Sequence, residues 1–255
     1  MISCILAFYI AGPGVLAAAA VLQAAPAAAV AGADTGNPDV LYARRDDLAS
    51  ARAAERIWQE RLRAQPKDFD AAWKLARARY WIGGHAPDAE RKTVLEAGIA
   101  AGRTAVAIEP NRPEGHFWIA ANMGALAESF GMRQGLKYRG NIKDELLIVL
   151  KLDPAFQQGS ADRALGRWYF KVPGLFGGSK SKSEQHLRRS LTYNPQSTAS
   201  HFFLAETLRE LGRRDEARAE LQRVLDAVPD LDWAPEDREF KQRARDLLTA
   251  LSDRR

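Results

Sequence analysis

Cysteine is nearly missing from this chain: Cys4 is the only one in 255 residues. Thiol chemistry and a disulfide framework are therefore excluded beyond residue 4, and a chain of this length can bury an adequate core without bridges. Charge is missing from the first 33 residues. No Lys, Arg, Asp or Glu precedes Asp34, and an apolar, alanine-rich stretch runs to Ala31-Gly32-Ala33. That pattern predicts a secretory signal ending in a small-x-small cleavage site, removed near Ala33, and a mature chain in the periplasm. Met1-Ile2-Ser3 lacks the usual basic residue, as a misplaced start codon would give; an uncleaved anchor is the alternative to cleavage, and membrane contact is expected only in that case. Gly12-Pro13-Gly14 breaks the apolar run that a stable spanning helix requires.

Catalytic motifs are missing as well. His85, His116, His186 and His201 are far apart, with neither His-x-x-x-His nor His-Glu-x-x-His spacing, and no Gly-x-Ser-x-Gly elbow occurs. The loop Pro173–Lys180 is glycine-rich but lacks the Gly-Lys-Ser/Thr order of a phosphate loop. It is expected to be an inserted turn that packs Leu175 and Phe176, with Ser179 or Ser181 capping the helix after it. Glu128, Asp144 and Glu145 are expected to be solvated helix acids. No enzyme, cofactor or metal site is predicted. The net charge of +5 is modest, and the pairs Arg44-Arg45, Arg188-Arg189 and Arg213-Arg214 are scattered without interleaved aromatics. They read as solvated faces, which predicts no nucleic-acid partner.

What is present is a repeat. Pro66, Pro110, Pro154, Pro195 and Pro229 are separated by 44, 44, 41 and 34 residues. A large-small doublet follows each of the first four prolines: Leu75-Ala76, Ile119-Ala120, Leu165-Gly166 and Leu204-Ala205, at offsets of 9, 9, 11 and 9. The clearest unit, Ser200 to Pro229, places Leu204, Ala205, Leu208, Gly212, Ala217, Leu221 and Leu225 as a tetratricopeptide hairpin does. Spacings of three, four and seven put these on one stripe per helix. Ala205 and Ala217 let the helices cross closely, Gly212 ends the first helix and Pro229 the second.

The predicted fold class is all-α, a tetratricopeptide-like solenoid of helical hairpins with a C-terminal capping helix. Residues 1–33 form the signal and 34–255 one repeat domain, with units at about 40–66, 67–110, 111–154, 155–195 and 196–229. Helix is expected over about 40–64, with a cap over 235–252. In that cap Phe240, Ala244, Leu247, Leu248 and Leu251 make one apolar stripe, and Arg243, Arg245 and Asp246 keep the rest polar. The first three units exceed 34 residues, so their turns or helix ends must be extended.

Several segments carry a likeness. Gly135-Leu136-Lys137-Tyr138, Leu152-Asp153-Pro154, Leu165–Tyr169, Val172–Lys180 and Asp232–Asp237 together resemble bacterial envelope proteins of the TatT type, the T component associated with some TRAP transporters, over roughly residues 40 to 252. The resemblance implies an extracytoplasmic repeat protein without enzymatic activity that works beside a periplasmic solute-binding protein. A carrier for a small apolar or anionic ligand is the competing reading, and a homo-oligomer is left open.

In this repeat class the first helix of each hairpin lines the concave groove. Counted from the doublets, the expected groove residues are Trp73, Arg77, Tyr80 and Trp81; then Phe117; then Arg163, Arg167 and Phe170; then Phe202, Glu206 and Arg209. Aromatics beside arginines can hold a peptide, a helix or an organic anion. Stripes at helical spacing also serve as core. Asn122 falls where a small apolar residue is expected; a local bond to a neighbouring hairpin competes with a binding role.

Overall fold

The structure is a computed structural model that describes residues 36–252. The expected signal at 1–33 lies outside the described residues. Everything regular within them is helical. Eleven α-helices follow one another: α1 Pro38–Ala43, α2 Leu48–Ala64, α3 Phe69–His85, α4 Asp88–Ile108, α5 Pro113–Ser129, α6 Gly131–Leu152, α7 Phe156–Lys171, α8 Lys180–Tyr193, α9 Thr198–Glu210, α10 Arg214–Asp226 and α11 Ala234–Ser252.

The helices pair as α3/α4, α5/α6, α7/α8 and α9/α10, and each pair stacks on the next. All four doublets are buried at these contacts, including Leu165 and Leu204 with no exposed surface. A methyl group on Gly166 would meet Leu187 Cγ at 2.5 Å, so here the small member of the doublet is fixed as glycine by the approach of α8. Gly212 takes φ 79°, and Arg213 N–H donates back to the Leu208 carbonyl at 2.9 Å, closing α9 in the expected left-handed cap.

The extra residues of the early units became helix. From the small residue of the doublet, α3 and α5 run nine residues to their ends, whereas α9 runs five. The difference of about one turn, about 6 Å, raises the walls of the first two hairpins. Their second helices are longer too, 21 and 22 residues against 13 in α10.

Several expectations are corrected. The helix expected at 40–64 is two helices, because the Asp47 side chain accepts from Ala49 and Ser50 N–H and restarts the chain as α2. Arg45 is 3% exposed and not on a solvated face: its guanidinium pairs with Glu236 and donates to the Asp232 carbonyl at 2.7 Å. Leu175 and Phe176 do not pack inward; they sit on a 3-10 turn with Leu175 89% exposed. The connection is pinned by backbone instead, with Ser179 N–H donating to the Tyr169 carbonyl at 2.9 Å and Ser179 capping α8. Arg243 does not serve the outer surface of the cap but lies over the rings of Phe202 and Phe240, 4.2 and 5.1 Å from their centroids. Glu128 and Glu145 are not free acids: Glu128 pairs with Arg167 and Glu145 with His116.

Candidate functional site

The inner faces of α3, α5, α7 and α9 look onto one chamber, and α11 closes it. The closure links residues nearly 200 positions apart. Arg45 holds Glu236, His85 Nε2 meets Glu239 at 2.7 Å, and Arg238 meets Asp46 at 2.6 Å. Trp81 Nε1–H donates to the Arg45 carbonyl at 2.5 Å and stacks on His85, so the top of α3 supports both contacts. Burial alone would lower the His85 pKa, but the hydrogen bonds to Glu239 and the Trp81 carbonyl outweigh it and raise it. On its other side α11 buries Ala244 and Leu251 against α9 and α10, and the Thr198 hydroxyl reaches Asp237 at 2.5 Å.

The chamber measures about 320 Å³ and its walls are mainly apolar: Tyr80, Phe117, Trp118, Leu146, Phe203 and Phe240 among others. Beside it lies a more polar vestibule of about 300 Å³, bounded by Gln157, Gln158, Tyr193, Asn194 and Asp230. The two share Arg163, Ala199, Trp233, Glu236 and Phe240. The vestibule owes its shape to a left-handed first turn of α7, where Gln157, Gln158 and Gly159 take φ of 44°, 59° and 77°. A methyl group at Gly159 would meet the Tyr193 ring at 2.7 Å. Such backbone is strained for glutamine and is held here by Asn194 donating to the Gln158 side chain.

Five of the twelve expected groove residues line the chamber: Tyr80, Trp81, Phe117, Arg163 and Arg167. Of these, Arg167 is already engaged, donating to Glu206 at 2.6 Å and Glu128 at 3.3 Å. The other seven stand elsewhere. Arg77 sits 4.1 Å from the Tyr42 ring and 4.9 Å from that of Trp73, whose indole donates to Asp70. Phe170 lies under Lys180 Nζ at 3.7 Å, Phe202 is buried against Phe203, Glu206 serves Arg167, and Arg209 meets Glu210. Asn122 is fully buried, with Nδ2 donating to the carbonyls of Trp118 at 2.7 Å and of Ala76, on α3, at 3.1 Å.

Arg243, Glu236 and Phe240 on the cap, and Trp118 next to the expected Phe117, line the chamber without having been expected there. The contribution of α11 has no local signature, since it arises from chain closure. A second missed feature has one. His116 and His201 each lie six residues after a proline; Nε2 meets the carbonyl of Pro110 or Pro195 at 3.0 or 2.9 Å, and Nδ1 meets Glu145 or Glu220 at 2.6 Å. Proline, five residues, histidine, repeated in two units, could have been read from the sequence. His186 meets Asp162 at 2.7 Å. No group of three His, Cys, Asp or Glu residues suited to a metal ion occurs among the described residues. Nor is any described helix long and apolar enough to cross a membrane.

Known proteins give the following likenesses. The family model of the TRAP transporter T-component matches residues 115–253, and that of regulator of microtubule dynamics protein 1-3 matches 37–176. Among solved structures, TTC0263, a thermophilic TPR protein of Thermus thermophilus, superposes with a TM-score of 0.63 at 22% identity, covering 85% of this chain and 100% of its own. MamA gives 0.49 at 16% identity, covering 83% and 99%. MamA 41-end from Desulfovibrio magneticus RS-1 gives 0.49 at 14%, covering 76% and 96%. No curated protein matches. The likeness to TTC0263 shows the tetratricopeptide fold.

Proposed function

The chain belongs to the TRAP transporter T-component family, and from that premise we propose that it is a non-enzymatic scaffold of a TRAP-type transporter, exported to the periplasm, whose partner is the solute-binding component. The observation that supports this reading most is the stack of tetratricopeptide hairpins itself, an architecture that presents side chains along an extended surface. Of the expected groove residues, Trp73, Arg77, Phe170 and Arg209 stand away from the chamber wall. They are the proposed contacts for a partner. The match to regulator of microtubule dynamics protein 1-3 ends within the α7–α8 connection and supplies no partner to this proposal.

Affinity capture tests it. The chain from residue 34, immobilised through its C-terminus, is expected to retain the TRAP-type solute-binding protein of the same genome, and Arg209→Asp is expected to weaken that capture without lowering Tm. Folded protein that retains none of it would remove the scaffold assignment.

A second reading is favoured by one observation. Helix α11 lies over part of the groove and leaves a partly open chamber of about 320 Å³, within the range of small-molecule pockets. A carrier role for a small ligand therefore stands beside the scaffold role. Native mass spectrometry of freshly purified protein, expected to show a retained small molecule that departs on unfolding, checks it.

A further inference from the structure

Charge in the chamber is not balanced. Five fixed cations, Arg139, Arg163, Arg167, Lys171 and Arg243, face three carboxylates, Glu128, Glu236 and Glu239. Those acids are all committed: Glu128 to Arg167 and Lys171, Glu236 to Arg45, Glu239 to His85. Four of the five cations also have company. Arg167 holds two acids, Lys171 one, Arg139 the Leu136 carbonyl and the Phe176 ring, and Arg243 the rings of Phe202 and Phe240. Arg163 has no hydrogen bond, ion pair or ring contact among the described residues. A partly buried guanidinium with no hydrogen-bonded counter-ion is unfavourable: burial pushes the Arg163 pKa down to about 10, with Tyr80 and the more distant charge of Glu236 opposing that shift, which leaves it charged at neutral pH.

Its position gives the chemistry. Arg163 stands where the apolar chamber meets the polar vestibule, being part of both walls. Tyr80, within electrostatic reach of Arg163, carries a hydroxyl with no hydrogen bond among the described residues, and burial keeps it protonated by raising its pKa. A guanidinium at the mouth of an aromatic chamber, with a phenol O–H on the chamber wall, suits a ligand with an anionic head and an apolar body.

We propose that the chamber binds a single-chain amphipathic anion, its carboxylate or phosphate head on Arg163 where the chamber meets the vestibule, with Tyr80 as a further donor from the chamber wall, and its apolar body against Phe117, Trp118 and Leu146. This rests on the carrier reading and names its ligand class.

Isothermal titration of the chain from residue 34 with decanoate, decyl phosphate and decanol tests it. Decanoate or decyl phosphate is expected to bind at least tenfold more tightly than decanol, and the tighter of the two identifies the head. Arg163→Gln is expected to remove that preference while leaving decanol binding in place, and Arg163→Lys to restore part of it. Decanol binding as tightly as both anions on the unmodified protein would overturn the anion assignment and leave the carrier reading standing. Failure of all three compounds to bind folded protein would overturn the carrier reading itself, and the inference with it.

Discussion

The hairpins α5/α6 and α9/α10 are built on the same three pins and end in different uses. Each has a buried large-small doublet, a histidine bonded to the carbonyl of a proline six residues before it, and a glutamate on its second helix that meets that histidine. Their difference is one turn in the first helix and nine residues in the second. The extra turn carries Ala127, Glu128 and Ser129 into the chamber wall, whereas the shorter α9 gives that wall only Ala199 and Phe203 and packs Leu204 and Leu208 into the core with α10 and α11. The pins fix where helices cross, and helix length beyond the pins decides whether there is a cavity.

The strongest way to break this comparison is at the pin. Ala217 is fully buried at the α9/α10 crossing, so Ala217→Leu should overpack it and destabilise by about 1–3 kcal/mol. Thermal unfolding reads the effect, and an unchanged Tm would mean the crossing is not where the structure puts it.

The two glutamates sharpen it. Glu220 has a side chain 6% exposed, that of Glu145 is 23% exposed. Burial alone would raise the Glu220 pKa, but His201 and Arg223 outweigh it and hold the carboxyl below the usual range. The folded state therefore gains stability from this charge above the ordinary glutamate value of about 4.3 and loses it as pH falls through the lower folded value. Glu220→Gln should cost about 1–2 kcal/mol near pH 7 and flatten that acid limb in a series of denaturant melts. Glu145→Gln, with more water at the pair, should cost under about 1 kcal/mol.

Beyond the pin the sign should reverse. A methyl group on Gly124 meets nothing within 4 Å, and α5 continues through it, so Gly124→Ala should stabilise by about 0.5–1 kcal/mol. A loss of stability would show that the extended wall is packed as tightly as the crossing. Smallest of all is Leu175→Ser at the exposed turn, expected within about 0.5 kcal/mol of no change in chemical denaturation.

Legibility followed the same division. Prolines and doublets were readable because helix termination and close crossing each demand a residue type at a fixed position, and the T-component likeness was readable from Val172–Lys180 and its companions. The candidate site was readable only in part. Tyr80, Phe117 and Arg163 were in reach of counting from the doublet, while Arg77, counted the same way, turned to the rings of α1 and α2. Asn122 found its partner carbonyl on α3, a contact across hairpins that spacing leaves undetermined. Arg45 was assigned to solvent because a paired basic residue usually stands there; its acid lies 191 residues away.

The sequence by itself determined that the chain is a succession of two-helix units, since period, capping and small-residue placement act within about 40 residues. Only the tertiary structure decided that the last helix returns to the start of the stack and narrows the groove into a chamber. Closure depends on the accumulated rotation of every unit and on pairs such as Arg45 with Glu236, which become neighbours only after all the hairpins have stacked.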